Sequence, residues 1–208
     1  ISGAKLSDYP SFIKGLAITK KAAAIANEKV GMVTKEQCDA IVKACDELLE
    51  GKHHEHFPVD MIQGGAGTST NMNANEVIAN RALEIMGKER GQYEFCSPND
   101  HVNGSQSTND AYPCGIHMAM YMEHLEFIGH IEMVIESLEK KAKEFERIIK
   151  MGRTQLQDAV PMTLGQTFGG FAATLRLEVE NLKAAAQEFL VVNMGATAIG
   201  TGICSLPG

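Results

Sequence analysis

The chain has 208 residues, of which 44% are hydrophobic and 22% are charged, and its formal net charge is −7. This length and apolar content are enough for one or two domains with a buried core. The acidic balance, without any run of Lys or Arg, argues against a nucleic-acid partner. Because no apolar run approaches the length of a bilayer span, we expect no membrane partner either.

The five cysteines indicate a reducing, cytoplasmic location. Their number is odd, and their spacings match neither a CxxC motif nor a disulfide framework. Cys38 and Cys45 both fall on one predicted helix, and we interpret them as packing residues.

Helical periodicity begins near the start of the chain. Apolar residues at helical spacing predict a helix over 10–29, which Gly31 ends. The sequence Thr34-Lys35-Glu36-Gln37 has the form of a capping box and predicts a second helix that continues to Leu49.

A glycine-rich loop and a third helix complete the first half of the chain. The loop is predicted over 52–67 and the helix over 69–86, and the stretch 87–103 is polar and irregular. We therefore predict a small helical N-terminal domain over 1–105.

Two long helices are predicted in the second half, over 107–150 and 163–189, with a loop over 151–162 between them. Pro113 falls in the first turns of the earlier helix, where proline is tolerated. Helices of this length indicate a bundle, and no strand pattern competes with them. The predicted fold class is all-α (mainly α), with 106–208 forming part of a central helical-bundle domain.

Three polar segments lie where helices begin or meet, at 64–73, 105–110 and 152–158. Exposed backbone N–H groups of glycines and hydroxyls at a helix start suit an anion such as a carboxylate. The same residue types are also the preferred helix N-caps, so capping alone is the alternative. The residue pattern by itself predicts a helical bundle with carboxylate-binding loops and names no reaction.

The sequence resembles the aspartase/fumarase superfamily over nearly its whole length. The matching stretches, in the order and spacing of the family, are Gly64–Glu76, Asn99–Asp110, Gly152–Gln166 and Asn193–Gly202. The resemblance implies a lyase in which a base removes a proton beside a substrate carboxylate. Hydrogen-bond donors then hold the aci-carboxylate dianion while an amine or hydroxyl leaves. It implies no cofactor and no metal.

Carried onto this sequence, the resemblance implies six substrate-binding residues: Thr68, Ser107, Thr108, Asn109, Thr154 and Gln155. Thr68 would bind one carboxylate of a small dicarboxylate. The run Ser107–Asn109 would surround the carboxylate that takes up charge, and Thr154 would reach the substrate from between the long helices.

Gln155 decides between the branches of the superfamily. It occupies a position that holds His in fumarases, and a Gln side chain cannot act as a general base near neutral pH. This favours elimination of ammonia from L-aspartate to give fumarate, with the hydration of fumarate as the alternative. Ser97 stands where fumarases carry a His of a secondary anion site, so we do not expect that site here.

The superfamily's third signature, a Gly-Ser-Ser-x-Met-Pro-x-Lys-x-Asn lid loop that supplies the catalytic serine base, does not occur in the sequence. The first residue is Ile1 rather than Met. We therefore expect an internal piece of a longer lyase, with no catalytic residue of its own and no activity alone.

The resemblance further implies a homotetramer built on long helices, with active sites that draw on three chains. The three polar segments would then lie apart within one subunit. The competing hypothesis is a non-catalytic helical assembly module. His53-His54-Glu55-His56 follows a helix end, where polar residues are favourable, and matches no ordered ligand spacing, so we expect no metal site.

Overall fold

A computed structural model describes residues 1–65 and 67–206 of the chain. Ala66, which belongs to the glycine-rich motif, and residues 207–208 lie outside the described residues. The described elements are α1 (Pro10–Lys29), α2 (Lys35–Leu49), α3 (Thr68–Ile85), α4 (Thr108–Glu144), β1 (Ile149–Thr154), β2 (Gln157–Thr163) and α5 (Leu164–Ala186). Short turns of 3-10 helix at Leu6–Asp8, His54–His56 and Gln187–Leu190, and of π-helix at Pro98–Val102, connect them. The predicted mainly α fold class is confirmed.

Local hydrogen bonds explain where two of the helices begin. Thr34 Oγ1 accepts from Gln37 N at 3.2 Å, and Thr34 N donates to Gln37 Oε1 at 2.9 Å. Thr163 and Gln166 repeat both bonds at the start of α5, at 3.1 and 2.9 Å. These reciprocal capping boxes satisfy backbone N–H groups that the first helical turn leaves unpaired.

The segment between the long helices is a β-hairpin, so the loop predicted over 151–162 was wrong. Its strands pair antiparallel from Ile149↔Thr163 to Thr154↔Gln157. Most residues of both strands are exposed. They therefore lack the alternation of apolar and polar residues by which a half-buried strand is recognised in a sequence. The helix predicted over 107–150 also ends earlier, at Glu144, because the hairpin begins at Ile149.

Contacts group the described chain into two compact units. The first comprises Ile1–Met122 and the C-terminal segment from Phe189 onward, and the second comprises Glu123–Glu188. The sequence-based boundary after residue 105 stays a prediction. Within the described ranges, no helix has both the length and the apolar content that crossing a bilayer requires.

The first unit packs α1, α2 and α3 around a continuous apolar core. Its fully buried large side chains include Leu6, Ile13, Leu16, Ile41, Leu48, Phe57, Ile78 and Leu83. Cys38 and Cys45 are buried here as free thiols, which confirms their packing role. Burial raises the pKa of Cys45 to about 12, so this thiol stays protonated and unreactive.

The start of α4 crosses α1 with two glycines at the contact. A Cβ added to Gly15 would overlap the carbonyl oxygen of Gly115 and lie 3.0 Å from Ala119 N. The two backbones can approach this closely only because Gly15 has no side chain. This crossing fixes the first turns of α4, which carry one of the predicted substrate-binding segments.

In the second unit, Ile128 and Ile135 of α4 pack against Ala172 and Val179 of α5. The members of each pair are two helical turns apart, so each helix contributes one apolar stripe. Large apolar side chains remain exposed elsewhere on the two helices within this unit, namely Leu125, Phe127, Met133, Val134, Phe171 and Leu177.

Replacing Gly15 with Ala should destabilise the chain by about 1–3 kcal/mol, because the added methyl group meets backbone atoms that cannot rotate away. Urea denaturation measures the change in the free energy of unfolding. Gly129→Ala is the matched control, since nothing lies within 4 Å of a Cβ at that exposed position in α4. It should be neutral or stabilise by up to about 1 kcal/mol. Equal effects of the two variants would contradict the close crossing.

Candidate active site

The first polar segment opens α3. Gly67 precedes the helix with φ 87°, and a Cβ on it would overlap the ring of Tyr112, so this position requires glycine. Thr68 follows as the first helical residue and is exposed. Behind it, the buried Thr70 receives a hydrogen bond at its hydroxyl from Gln63, whose Oε1 accepts from Thr70 N at 3.1 Å. Thr68 therefore stands at a helix N-terminus, where free N–H groups favour an anion.

The second segment opens α4. Ser107 N donates to Asp110 Oδ1 at 2.9 Å, and the other oxygen of this buried carboxylate accepts from Thr197 N at 2.8 Å. Ser107 Oγ accepts from the backbone N–H of Asn109 at 3.3 Å and from Asn109 Nδ2 at 3.2 Å. A hydroxyl oxygen has two acceptor sites and one proton, so with both acceptor sites occupied the Ser107 proton is free to be donated.

These two segments meet in the folded chain. Asn71 Nδ2 donates to Thr108 Oγ1 at 3.2 Å, which leaves the Thr108 hydroxyl proton available as a donor. Gly67 and Asn109 line one cavity of about 530 Å³. The expectation that all three segments lie apart within one subunit was therefore wrong for the first two. A side chain of the α3 segment bonds directly to the start of α4.

A buried lysine lies beneath this junction. Lys20 of α1 has no exposed surface, and its Nζ donates to Asn103 Oδ1 and to Gln106 Oε1, each at 2.9 Å. Asn103 Oδ1 also accepts from Asn71 Nδ2 at 3.0 Å and from Asn75 Nδ2 at 3.1 Å. One carbonyl oxygen thus accepts three hydrogen bonds, which link α1 and α3 to the loop before α4.

Burial lowers the pKa of Lys20 to about 7, an effect that attraction to Asp110 partly opposes. Lys20 is not among the residues predicted from the sequence, although a signal was present. Leu16 lies four residues before it and Ala24 four residues after it, and both are buried. Helical spacing alone therefore places Lys20 on the core face of α1.

The third segment forms the tip of the hairpin in the second compact unit. Gln155 and Leu156 make a two-residue connection, with φ angles of 49° and 65°. Positive φ at both positions is the signature of a type I′ turn, which normally selects Asn and Gly. Thr154 and Gln155 are exposed, and Leu156 is 90% exposed. The turn therefore presents the predicted contact residues to solvent on a strained backbone.

Comparison with known proteins gives the class of this chain. The family described as Lyase matches residues 3–208, and the chain belongs to that family. The superfamily inferred from the four motifs is confirmed. The chain is 54% identical to the aspartate ammonia-lyase of Escherichia coli (strain K12) over 204 residues, which cover 98% of this chain and 43% of that protein. It is also 54% identical to the aspartate ammonia-lyase of Helicobacter pylori (strain ATCC 700392 / 26695), covering 100% of this chain and 44% of that protein.

Solved structures show the same fold. The crystal structure of fumarate lyase:delta crystallin from Brucella melitensis bound to cobalt superposes with a TM-score of 0.92 at 50% identity, over 99% of this chain and 45% of that one. Recombinant class II fumarase from Schistosoma mansoni superposes with a TM-score of 0.83 at 38% identity, over 96% of this chain and 42% of that one. The chain spans less than half the length of the relatives it matches.

Lys20→Met should change how stability depends on pH. Between the folded pKa of about 7 and the usual value of 10.5, Lys20 is neutral in the folded chain and protonated in the unfolded chain. The unfolded state then binds more protons, so Lys20 makes stability rise with pH over that window. Below pH 7 both states are protonated, and the cost of the buried charge is fully present.

Between pH 7 and 10, the free energy of unfolding of the wild type should therefore rise relative to that of Lys20→Met. Urea denaturation at each pH measures this difference. Lys43→Met, at an exposed position on α2, should follow the wild type in parallel. A Lys20→Met curve that is also parallel would show that the buried amine does not titrate in this range.

Leu156→Gly should stabilise the hairpin by roughly 1 kcal/mol, because glycine adopts positive φ without strain. Slower amide hydrogen exchange at Thr154 and Gln157, the pair that closes the two-residue turn, measures the effect. Val160→Gly, at an exposed strand position, should have the opposite effect, since glycine weakens a strand. Faster exchange in Leu156→Gly would contradict the assigned turn.

Proposed function

We propose that the chain is the carboxylate-binding part of an aspartate ammonia-lyase, an enzyme that eliminates ammonia from L-aspartate to form fumarate. The proposal rests on the hydrogen bonds that two hydroxyl groups accept. Ser107 Oγ and Thr108 Oγ1 both accept hydrogen bonds from protein amides, so both protons are available to an anion. Relatives that are 54% identical are named aspartate ammonia-lyase, which supports the same reaction.

In this proposal, Thr68 binds one carboxylate of the substrate and the run Ser107–Asn109 surrounds the other. Removal of the proton beside that second carboxylate spreads negative charge over its oxygens. Donors already aimed at those oxygens stabilise the transition state more than the substrate, because the charge is greater there. Thr154 supplies a further contact from the hairpin tip. The proton-removing base is assigned to no residue of this chain, and the activity is proposed for the whole protein.

Gln155 favours ammonia elimination over the hydration of fumarate. Its amide side chain has no proton to exchange near neutral pH, so it can hold a substrate but cannot act as a general base. The class II fumarase from Schistosoma mansoni shares 38% identity with this chain, against 54% for the aspartate ammonia-lyases. Fumarate hydratase therefore remains the less favoured activity.

Fumarate formation, followed by ultraviolet absorbance, tests the proposal on the whole protein that contains this chain. L-Aspartate should be converted and L-malate should not, and residues 1–208 alone should be inactive. Thr108→Ala should lower kcat by about 10²–10³, the usual effect of removing one donor to a developing anion. Thr174→Ala is the matched control, because that hydroxyl bonds Gly170 O within α5 at 3.0 Å. Activity with malate alone, or an undiminished Thr108→Ala enzyme, would contradict the proposal.

The proposal includes a cytoplasmic homotetramer whose active sites are shared between subunits. Free thiols at all five cysteines suit a reducing compartment. Phe127 of α4 is 54% exposed and Leu177 of α5 is 62% exposed. Large apolar side chains left exposed on long helices are typical of a bundle that is completed by further helices.

Phe127→Glu should lower the mass measured by sedimentation velocity, because burying an unpaired carboxylate in a helix bundle is costly. Lys143→Glu changes the charge at an exposed polar position of the same helix and should leave the mass unchanged. A wild-type protein that sediments as a monomer, or a Phe127→Glu variant that keeps the full mass, would exclude this assembly.

A further inference from the structure

The turn after α2 brings together three side chains that match no ligand spacing along the chain. His53, Glu55 and His56 each offer a ligand atom, and these atoms all lie within 4.8 Å of one another. His53 adopts φ 64°, and the 3-10 turn that follows places the rings of His53 and His56 with centroids 6.2 Å apart. Left-handed backbone at a residue with a side chain is uncommon and is often kept for a function.

We propose that His53, Glu55 and His56 bind a divalent transition-metal ion of the Zn²⁺ class. Two imidazole nitrogens and one carboxylate oxygen suit zinc, cobalt, nickel or copper, whereas magnesium and calcium prefer oxygen ligands alone. This reverses the expectation from the spacing of His53-His54-Glu55-His56. The folded turn, and not a helical repeat, sets the distances between the ligands.

The hydrogen bonds around His53 occupy one ring nitrogen and leave the other free. Its Nε2 lies 2.9 Å from Glu47 Oε2, and Arg81 donates to both oxygens of the same carboxylate through Nε and Nη2. An ion-paired carboxylate only accepts hydrogen bonds, so His53 Nε2 must carry the ring proton. His53 Nδ1 then keeps the lone pair that a metal needs. A carboxylate behind the imidazole is the arrangement that orients most metal-binding histidines.

Hydrogen bonds anchor the turn to α2 and α3. His54 Nε2 donates to Leu48 O at 2.9 Å, and the His54 ring packs edge-on against the buried Phe57. The carbonyl oxygen of His56 accepts from Asn73 Nδ2 of α3 at 2.9 Å. The turn is therefore preorganised, and binding an ion requires only side-chain rotation.

That rotation is small and concerns exposed groups. Zn²⁺ bonds of about 2.0–2.1 Å place tetrahedral ligand atoms about 3.3 Å apart, which is closer than the largest separation here. The side chains of Glu55 and His56 are 69% and 51% exposed and free to close that difference. Arg81 is already paired with Glu47 and Glu84, and these carboxylates offset its positive charge.

The site has room for a further ligand. His53 and His56 line a cavity of about 540 Å³ together with Ser69 and Asn73. A Zn²⁺ ion held by three protein ligands keeps a fourth position, which water or an oxygen of a small molecule can fill from this cavity.

Calorimetric titration of the tag-free chain with Zn²⁺ tests the site. One ion per chain should bind, and His56→Gln should weaken binding at least 10-fold. His54→Gln is the matched control, because its side chain bonds Leu48 O instead. It should bind like the wild type, as should Cys204→Ser, which removes the exposed thiol. Loss of binding in either control to the same degree as in His56→Gln, or no saturable binding at all, would overturn the site.

A second measurement on the wild-type chain does not depend on any variant. Long-range ¹H–¹⁵N spectra report which ring nitrogen an ion occupies, and Zn²⁺ should shift His53 Nδ1 while Nε2 keeps its proton. An excess of Mg²⁺ should leave these spectra unchanged. Coordination through Nε2, or displacement of Zn²⁺ by Mg²⁺, would overturn the proposed ligand set.

Discussion

The hydrogen bond from Lys20 Nζ to Asn103 Oδ1 is the contact on which the proposed carboxylate-binding region depends. An amine with no exposed surface loses its hydration, and only well-placed acceptors offset that cost. Asn103 and Gln106 provide those acceptors, and Asn103 also receives donors from α3. The loop before α4 is therefore held by hydrogen bonds from α1 and from α3. A loop so constrained can hold its hydroxyls in one orientation, which is what recognition of a developing anion requires.

The fixed loop also determines which way the hydroxyl protons point. Asn71 donates both to Asn103 within the buried network and to Thr108 at the start of α4. Asn109 fills the acceptor sites of Ser107 in the same way. The protein thus uses its own amides to make both hydroxyls available as donors. The proposed metal-binding turn lies elsewhere in the first unit and has its own supporting carboxylate in Glu47.

The sequence predicted what depends on local patterns. The helices follow from periodicity, and the Thr34 capping box follows from residue order, because both are properties of neighbouring residues. The hairpin was missed because its strands are exposed and its turn holds Gln155 and Leu156 instead of Asn and Gly. The Lys20 network joins residues more than 80 positions apart. No local pattern reports such a contact, although the core-facing position of Lys20 could have been read from α1. The grouping of His53 with His56 likewise depends on the turn geometry.

The most direct test of this account is kcat for L-aspartate in the Asn71→Asp variant of the whole protein. Aspartate has the shape of asparagine, but its carboxylate accepts where the amide of Asn71 donates. The Thr108 hydroxyl would then donate to residue 71 and no longer to the substrate. We expect kcat to fall by about 10²-fold, the scale of one lost donor to the anion, while far-ultraviolet circular dichroism shows an intact helical fold. An unchanged kcat in a folded variant would show that the buried amide network does not set the donors of the active site.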